Sequence, residues 1–353
     1  MNLIGFDHIN QEDFELTNRF LNDKNTKKYI LGINKYTKAI AKQIQVDGII
    51  DDFTRVQSSK KKDILKIEDV PKDSIILSTS SGSPLEVQNK LNSMGYTNFN
   101  YFSFYKMSKL DLPAPMFMDD FEDDFKNHEA EYKKTYDLLA DQKSKDIFTK
   151  VINFKISFDL KFMDGFTNNH NAQYFDLPYL PKMKNINFVD GGGYVGDTLP
   201  SIIRNYPDYE KIYLIEPNSL HINIAKRDFG EYNNIEFINC GLGSSKISNS
   251  DDIDETMCNH NYQAQNIDTI DNLIKNKVDF IKLDIEGAEQ DTIQGAKNTI
   301  LQNHPVLAIC IYHKAQDWYK IPQLILGIRD DYNIYIRHYM EGIYETVMYF
   351  IPK

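Results

Sequence analysis

The sequence predicts an α/β protein: a small Rossmann-like domain and a helical bridge precede a larger Rossmann-like domain with a parallel sheet and an antiparallel C-terminal hairpin. Short apolar runs alternate with helical stretches over residues 27–104 and again from residue 185 onward. Two prolines and an acidic run interrupt the alternation at residues 111–126. Such alternation is typical of a sheet covered by helices, so we expect domains at 1–118 and 185–353, joined by residues 119–184.

The N-terminal part contains four strand-like runs and two helical stretches. Strands are expected at Lys28–Leu31, Val46–Ile50, Ser74–Thr79 and Phe99–Phe104, and helices at Tyr36–Ile44 and Pro84–Met94. The turn after the first strand keeps only Gly32, whereas a dinucleotide turn needs three glycines for tight bending and close phosphate approach. We therefore expect a domain for scaffolding or for a homo-oligomer, with nucleotide binding as the alternative.

The bridge opens with an acidic run and continues as a helical region. Five of the six residues in Asp119–Asp124 are acidic. The run lacks the glycine-centred spacing of a calcium loop, so a solvated linker is the expected role. Up to about Asp164, apolar residues recur at helical spacing, at Leu138, Ile147, Val151 and Phe154.

The C-terminal part alternates five strands with helices and ends differently. Strands are expected at Ile186–Asp190, Lys211–Glu216, Ile235–Asn239, Val278–Asp284 and Val306–Ile311. Strands that are each entered from a helix form a parallel sheet with right-handed crossovers. The last two runs, Asn333–Arg337 and Thr346–Ile351, are joined by a loop that is too short for a helical crossover and predict an antiparallel hairpin.

Composition and charge exclude several classes of protein. The 353 residues are 41% apolar with a net charge of -11, and no apolar run approaches the roughly 20 residues of a membrane span. The N-terminus does not resemble a secretory signal, so a cytoplasmic protein without membrane insertion is expected. Most of the negative charge falls after residue 184 and would repel nucleic acid. Lys60–Lys62 is expected to be a solvated loop.

The three cysteines, Cys240, Cys258 and Cys310, are far apart in the sequence and form no CxxC pair. This spacing favours neither a zinc site nor a disulfide framework. We expect reduced, mostly buried thiols.

The first strand of the C-terminal part runs into a glycine-rich turn, Asp190–Thr198, in which Gly191, Gly193 and Gly196 form a GxGxxG pattern. Glycines at such a turn let a ligand approach the backbone and the helix N-terminus. The next strand ends at Glu216, and a carboxylate there can accept both hydroxyls of a ribose. The pair predicts an adenosine-containing ligand, either NAD or S-adenosylmethionine.

Carboxylates around these glycines favour the methyl donor. Asp190 and Asp197 suit an ammonium and a sulfonium better than a pyrophosphate; the alternative is that Asp197 or Thr198 caps the helix. The fourth strand delivers Asp284 and Glu286 to its carboxyl end, where ligands bind in open α/β sheets.

The sequence resembles the FkbM family of S-adenosylmethionine-dependent O-methyltransferases. The resemblance rests on five motifs in order, Gln173–Phe175, Val189–Thr198, Ile215–Asn218, Lys282–Glu289 and Tyr312–Lys314, and on the ending Glu345–Tyr349. It implies the common methyltransferase fold, with Tyr174 and Asn218 among the cofactor contacts, and methyl transfer to a hydroxyl of a sugar or polyketide-like acceptor. The polar stretch Ser244–Gln265 departs from the family pattern and would form a lid or part of the acceptor site.

His313 follows the fifth strand and is the candidate general base. Histidine titrates near neutrality and can take the proton of an acceptor hydroxyl, with Asp284 holding it. Further candidates for acceptor binding are Glu286, Tyr312, Lys314, Trp318, Arg337, His338 and Tyr339. Asp284, Glu286 and His313 are also a candidate set for magnesium or manganese; the alternative is that Glu286 caps the following helix.

The expected function is O-methylation of a sugar hydroxyl, on a nucleotide-activated sugar for bacterial capsule or lipopolysaccharide biosynthesis. An NAD-dependent oxidoreductase of a nucleotide sugar would share the glycine turn and Glu216, but would not account for the carboxylates after the fourth strand. A non-catalytic assembly protein of a biosynthetic complex is the third alternative.

Overall fold

The structure is a computed structural model that describes residues 1–52, 64–248 and 266–353. The chain divides into two compact units. Unit 1 comprises Met1–Glu122, Phe148–Asn168 and Met340–Tyr344, and unit 2 comprises Asp123–Ile147, Asn169–Tyr339 and Glu345–Lys353. The domain boundaries predicted at residues 118 and 184 remain a prediction. Lys60–Lys62, Cys258 and most of Ser244–Gln265 lie outside the described residues.

Unit 1 is built on a five-stranded parallel sheet with the strand order β3-β2-β1-β4-β5. Its strands are β1 (Lys28–Leu31), β2 (Gly48–Ile50), β3 (Ile64–Leu65), β4 (Ile75–Ser78) and β5 (Thr97–Asn100). Its helices are α1 (Gln11–Asn22), α2 (Lys35–Ala41), α3 (Pro84–Ser93) and α4 (Tyr101–Ser108). Helix α1, which the sequence reading missed, buries Phe20 against Phe99 and Phe104, with ring centroids 5.6 and 5.7 Å away.

The strand predicted at Phe99–Phe104 is wrong beyond Asn100. There β5 ends and α4 begins, because the Asn100 side chain accepts a hydrogen bond from the Ser103 backbone N–H at 3.1 Å. An asparagine at this position satisfies one of the unpaired N–H groups of the first helical turn. The aromatic residues that suggested a strand, Tyr101, Phe102 and Phe104, are instead buried on several sides of this helix.

The turn after β1 is the place where a Rossmann fold binds a dinucleotide. Here hydrogen bonds from within the chain occupy its polar groups. Asn34 Oδ1 accepts hydrogen bonds from the N–H groups of Tyr36 and Thr37 at 2.9 and 3.1 Å. Its amide donates to the Thr79 carbonyl at 3.0 Å. At the start of α3, the Glu341 carboxylate accepts from the Glu86 N–H at 2.9 Å. These groups are engaged within unit 1, and the role predicted for this domain stays a prediction.

Unit 2 is built on a seven-stranded sheet. Its strands are β6 (Asn187–Gly191), β7 (Lys211–Ile215), β8 (Ile235–Ile238), β11 (Phe280–Leu283), β12 (Val306–Cys310), β13 (Tyr332–His338) and β14 (Thr346–Pro352). A short separate pair consists of β9 (Gly241–Leu242) and β10 (Ile267–Asp268). The helices are α7 (Leu199–Asn205), α8 (Ser219–Phe229), α9 (Ile270–Leu273), α10 (Glu289–Gly295), α11 (Lys297–Asn303) and α12 (Asp317–Ile328).

The strand order of this sheet is β13-β14-β12-β11-β6-β7-β8. The five adjacent strands β8, β7, β6, β11 and β12 are parallel. Strand β14 runs antiparallel to both β12 and β13. The order reverses between β6 and β11, where Phe188 stacks on Phe280 with ring centroids 4.6 Å apart. Open α/β sheets bind ligands at such a reversal, beyond the carboxyl ends of the strands.

Two helices form the region predicted as a bridge, α5 (Phe121–Leu138) and α6 (Gln142–Ser157), and each contributes residues to both units. Four of the six residues of the acidic run form the first turn of α5 rather than a linker. Asp124 accepts hydrogen bonds from the hydroxyls of Tyr132 and Tyr319 at 2.8 and 3.1 Å. One carboxylate of the run is therefore a structural hydrogen-bond acceptor within unit 2.

The predicted fold class is confirmed, including the parallel sheet and the antiparallel C-terminal hairpin. Over the described ranges, no helix has the length and apolar character that crossing a bilayer requires.

Replacing Asn100 tests the cap that ends β5. Asn100→Ala should lower the free energy of unfolding by about 0.5–2 kcal/mol, the usual cost of losing a helix N-cap. Asn100→Ser is the control, because serine keeps a cap acceptor of similar strength. Differential scanning calorimetry compares the two variants. Equal melting temperatures for Ala and Ser would show that the cap does not hold the strand-to-helix boundary.

Candidate active site

A cavity of about 670 Å³ opens at the carboxyl ends of β6, β7 and β11 in unit 2. This volume lies in the range of small-molecule sites. Its walls come from the glycine turn and from the segments after β7, β8, β11 and β12. Residues between 170 and 174 and the residue before β14 complete them. The lining includes Gly192, Tyr194, Asp197, Thr198, Glu216, Leu242, Lys282, Asp284, Glu286, Tyr312, Tyr174 and Glu345.

The glycines serve packing within the protein as much as ligand approach. Gly192 has φ +75°, and a Cβ there would lie 1.8 Å from the Asp284 carbonyl oxygen. A Cβ on Gly193 would lie 2.3 Å from the Leu214 side chain. Gly191, Gly193 and Gly196, which were predicted to contact the cofactor, do not line the cavity, whereas Gly192 does. Gly192 and Gly193 must lack side chains so that the turn can pack on the end of β11 and on β7.

Neither helix-cap alternative at this turn is supported. Thr198 occupies the N-cap position of α7, but its side chain makes no capping hydrogen bond. Asp197 is exposed. Both residues line the cavity and are available to a ligand.

Asp190 was predicted to face the cofactor but is fully buried and does not line the cavity. It pairs with Lys282, its register partner on β11, with Nζ 2.9 Å from Oδ1. Burial raises the pKa of Asp190, opposed by Lys282. Burial alone would lower the pKa of Lys282, but Asp190 and Asp284 outweigh it and raise the pKa above its ordinary value. The Lys282 ammonium therefore persists at neutral pH, and Asp190 is its structural counterion.

Glu216 lies at the end of β7 and is 4% exposed. Its carboxylate accepts a hydrogen bond from the Tyr194 N–H at 3.0 Å and another from the Asn218 N–H at 2.8 Å. Each oxygen accepts one of these bonds, and His221 Nδ1 lies 3.5 Å from Oε1. The carboxylate is thus fixed at the cavity wall, and an ionised carboxylate has acceptor capacity for further hydrogen bonds.

The structure places Asn218 outside the cavity lining, although it was predicted to bind the cofactor. Its side-chain oxygen caps α8, accepting from the N–H groups of Leu220 and His221. Beyond Glu216, Cys240, Leu242 and Ile267 form an apolar part of the wall. A flat aromatic base fits such a surface.

Asp284 lies at the end of β11 and receives several donors. The hydroxyls of Tyr174 and Tyr312 donate to its two carboxylate oxygens, each at 3.0 Å. His313 Nε2 lies 3.5 Å from Oδ1. Burial by itself would raise the pKa of Asp284, but Lys282, His313 and the two hydroxyls hold it below the ordinary value. Asp284 is therefore ionised.

His313 lies among three carboxylates. Its Nδ1 is 3.0 Å from the fully buried Glu289, and its Nε2 is 3.9 Å from Glu286. Burial alone would lower the pKa of His313, but Glu289, Asp284 and Glu286 raise it to about 10. These carboxylates favour the protonated imidazole. A general base has to be unprotonated, so this environment disfavours the role predicted for His313.

Glu345 lines the cavity from the segment that enters β14, and sequence reasoning did not assign it a role. The Gln173 amide donates a hydrogen bond to its Oε2. Burial, with the charge of Asp284, raises the pKa of Glu345 to about 7. The signal in the sequence is its position, directly before a strand that pairs with β12.

Four lining residues have left-handed backbone conformations, which non-glycine residues rarely adopt. They are Tyr174, Tyr194, Glu286 and Glu345, with φ angles of 72°, 43°, 56° and 63°. Backbone strain of this kind concentrates at functional sites.

Several predicted acceptor contacts lie elsewhere. Trp318 is fully buried in α12, so it cannot stack on a ligand. Arg337 is 2% exposed and binds Asp141 at 2.8 Å and Ser144 at 2.9 Å. His338 contacts Thr346 Oγ1 at 2.8 Å. Lys314 does not line the cavity, and neither does Tyr339, whose hydroxyl donates to Asp176.

The predicted metal ligands Asp284, Glu286 and His313 do not form a compact ligand set among the described residues. His313 Nε2 lies 3.5 Å from Asp284 and 3.9 Å from Glu286, but the three are not a group whose ligand atoms all lie within 4.8 Å of one another. Within the described ranges, Asp284, Cys310 and Glu345 have ligand atoms within 4.8 Å of one another. Burial raises the pKa of the Cys310 thiol well above its usual range, and a thiol that keeps its proton is a poor ligand for magnesium or manganese. Glu286 does not cap α10 either, since that helix has Ala288 at its N-cap.

Comparison with known proteins agrees with this geometry. Residues 184–339 match the family model described as the methyltransferase FkbM domain. A search of curated proteins finds no match to this chain.

Among solved structures, the chain is similar to methyltransferase FkbM from Methylobacillus flagellatus KT. The two are 23% identical with a TM-score of 0.76, over 97% of this chain and 94% of that chain, and this likeness shows the fold. Fibrillarin from Aeropyrum pernix, solved with S-adenosyl-L-methionine, is 13% identical with a TM-score of 0.33 over 50% of this chain and 70% of that chain. A SAM-dependent methyltransferase from Aquifex aeolicus is 14% identical, covering 48% and 84% of the two chains, with a TM-score of 0.31.

Gly192→Ala tests the packing of the glycine turn on β11. The substitution should lower the free energy of unfolding by about 2–6 kcal/mol, because it combines left-handed strain with a steric overlap. Gly327→Ala is the matched control, since a Cβ there meets nothing within 4 Å. Calorimetric melting temperatures of the two variants give the comparison. A Gly192→Ala protein as stable as the control would contradict this account of the turn.

Proposed function

We propose that this chain is an S-adenosylmethionine-dependent O-methyltransferase. The observation that carries the proposal is the Glu216 carboxylate, which two backbone N–H groups hold at the cavity wall beside the glycine turn. This arrangement suits the two hydroxyls of a ribose. The match of residues 184–339 to the methyltransferase FkbM domain supports the same activity.

Each part of the donor then has a place along the cavity. The ribose binds Glu216, and the adenine lies on the apolar wall of Cys240, Leu242 and Ile267. The methionine end lies along the turn at Gly192, where Asp197 is available to its ammonium. The remaining lining, around Asp284 and Tyr312, is left for the acceptor.

Charge favours this donor over NAD. The cavity is lined by the carboxylates of Asp197, Glu216, Asp284, Glu286 and Glu345. The ammonium of Lys282, which also lines it, is already paired with Asp190. Carboxylates at this density repel a pyrophosphate and attract a sulfonium. The NAD-dependent oxidoreductase is therefore the weaker alternative.

We propose a sugar hydroxyl as the acceptor, on a nucleotide-activated sugar used for bacterial capsule or lipopolysaccharide. Two hydroxyls and several carboxylates line the acceptor end, and groups of these types commonly hydrogen-bond sugars. The same carboxylates disfavour phosphate, so the nucleotide of such an acceptor would lie outside this end of the cavity. Unit 1, with its turn closed by Asn34, is proposed to serve assembly as a homo-oligomer.

The chemistry needs a donor held in line with the acceptor oxygen and a group that takes the hydroxyl proton. When bound, S-adenosylmethionine supplies an activated methyl group on a sulfonium. Asp284 is held as an anion and can accept a hydrogen bond from a neighbouring hydroxyl of the sugar, which orients the acceptor for methyl transfer. His313 is proposed to act as a fixed positive charge that holds Asp284 and Glu286 in place.

Mass spectrometry of a panel of nucleotide sugars tests the activity. Each sugar is incubated with the protein and S-adenosylmethionine, and we expect one of them to gain a single methyl group. Addition of a chelator should leave the reaction unchanged, because among the described residues Asp284, Glu286 and His313 do not come together as a compact ligand set. A protein that binds the donor yet methylates none of the sugars would refute the proposed acceptor class.

Glu216→Gln tests donor binding. Hydrogen bonds to a charged group contribute about 1.5–3 kcal/mol, so the dissociation constant for S-adenosylmethionine should rise about 10- to 140-fold. Isothermal titration calorimetry measures it. Glu236→Gln on the neighbouring strand β8 is the control, since Glu236 pairs only with the surface residue Lys211 among the contacts described. Tighter binding of NAD than of S-adenosylmethionine by the unaltered protein would refute the assignment.

A further inference from the structure

Glu345 combines a position in the cavity wall with a close carboxylate neighbour and a raised pKa. It lies directly before β14, in the connection that follows β13. Its backbone has φ +63°, and a non-glycine residue stays in this conformation only where its surroundings hold it there. The strained backbone therefore fixes the direction from which the carboxylate enters the cavity.

Two contacts define where this carboxylate lies. The Gln173 amide donates both to Glu345 and to the Tyr174 hydroxyl, the latter at 3.0 Å. The Tyr174 hydroxyl in turn donates to Asp284. An oxygen of Glu345 lies within 4.8 Å of an oxygen of Asp284. The two carboxylates are therefore neighbours at the acceptor end, and Gln173 and Tyr174 link them.

The donors around the pair are distributed unequally. Asp284 receives two tyrosine hydroxyls and lies beside the cations of Lys282 and His313. Glu345 receives the neutral amide of Gln173. Two carboxylates this close do not both ionise readily, and the one with fewer cationic and hydrogen-bond partners keeps the proton. Six charged or titratable groups interact electrostatically with Glu345. Lys282 lies in β11 and Asp284 follows it. Cys310 ends β12, Tyr312 and His313 follow that strand, and Tyr174 precedes β6.

We propose that Glu345 is the catalytic base that takes the proton of the acceptor hydroxyl. This inference rests on the proposed methyl transfer and adds the residue that activates the nucleophile. The hydroxyls and cations around Asp284 stabilise its anion, and the carboxylates around His313 favour the protonated imidazole, so both are less suited to take a proton. A carboxylate with pKa about 7 is matched to working near neutral pH.

The step balances as a displacement at carbon. The acceptor O–H bond breaks and its proton passes to a Glu345 oxygen, while the acceptor oxygen forms a bond to the methyl carbon. The bond from that carbon to sulfur breaks, and its electron pair stays on sulfur, which becomes a neutral thioether. The products are the methyl ether, S-adenosylhomocysteine and a protonated Glu345 that returns its proton to water.

Proton release on donor binding tests this assignment without a known acceptor. The sulfonium should lower the pKa of a neighbouring Glu345, so its arrival expels the proton that Glu345 holds. Titration calorimetry at pH 7 in buffers of different ionisation enthalpy counts the protons. S-adenosylhomocysteine is the matched ligand, because it differs from the donor only in lacking the methyl group and the sulfonium charge.

We expect S-adenosylmethionine to release up to about half a proton more than S-adenosylhomocysteine, since a group with pKa about 7 is half protonated at pH 7. The difference should disappear in Glu345→Gln and persist in Glu286→Gln, which makes the same change at another lining carboxylate. The affinity for S-adenosylmethionine should correspondingly increase as the pH rises through 7, because binding releases protons.

Turnover gives the second readout. With the sugar that the panel identifies, Glu345→Gln should lower kcat about 10²- to 10⁴-fold, the usual contribution of a general base, while S-adenosylhomocysteine affinity is unchanged. If both the unaltered protein and Glu345→Gln bind the donor and release equal numbers of protons, the role of Glu345 is overturned and the proposed function is not. Absence of any S-adenosylmethionine binding would instead overturn the proposed function, and this inference with it.

Discussion

The buried ion pair between Asp190 and Lys282 is the interaction on which the architecture of unit 2 depends. It joins β6 to β11 at the reversal of strand order, where both side chains are almost fully buried. Lys282 also donates to the Gly192 carbonyl at 2.8 Å, so one ammonium fixes both strands and the glycine turn. Removing one member of such a pair typically costs about 3–5 kcal/mol. The Lys282 ammonium therefore sets the position of this part of the cavity wall through contacts within the protein.

The same ammonium begins an alternation of charge across the sheet. Lys282 and His313 are the cations, and Asp190, Asp284 and Glu289 are the anions that face them. Each buried charge thus has an opposite charge close by, which is the condition under which ions persist in a protein interior. Glu345 lies at the edge of this array and has fewer opposite charges close to it. Burial and the charge of Asp284 therefore raise its pKa, which suits the proton exchange proposed for it.

The sequence predicted the strands of unit 2 well because each is an apolar run followed by a turn or a polar residue, and this pattern needs no knowledge of tertiary contacts. It predicted the fates of individual polar residues less well. Nothing local distinguishes Asp190, which faces a lysine, from Asp284, which faces the cavity. The difference depends on the register between β6 and β11. Trp318 and Arg337 were misassigned for a similar reason, since their burial depends on partners distant in the sequence, such as Asp141.

Backbone strain links this electrostatic array to the direction of the side chains. Each left-handed non-glycine residue costs on the order of 1–3 kcal/mol, and Tyr174, Tyr194, Glu286 and Glu345 all line one cavity. Stability alone would favour glycine at these four positions, because glycine adopts the conformation without that cost. Side chains at strained positions imply that their functional groups matter more than the lost stability. For Tyr174 and Glu345 those groups are a hydroxyl bound to Asp284 and a carboxylate beside it, at the end of the cavity left for the acceptor.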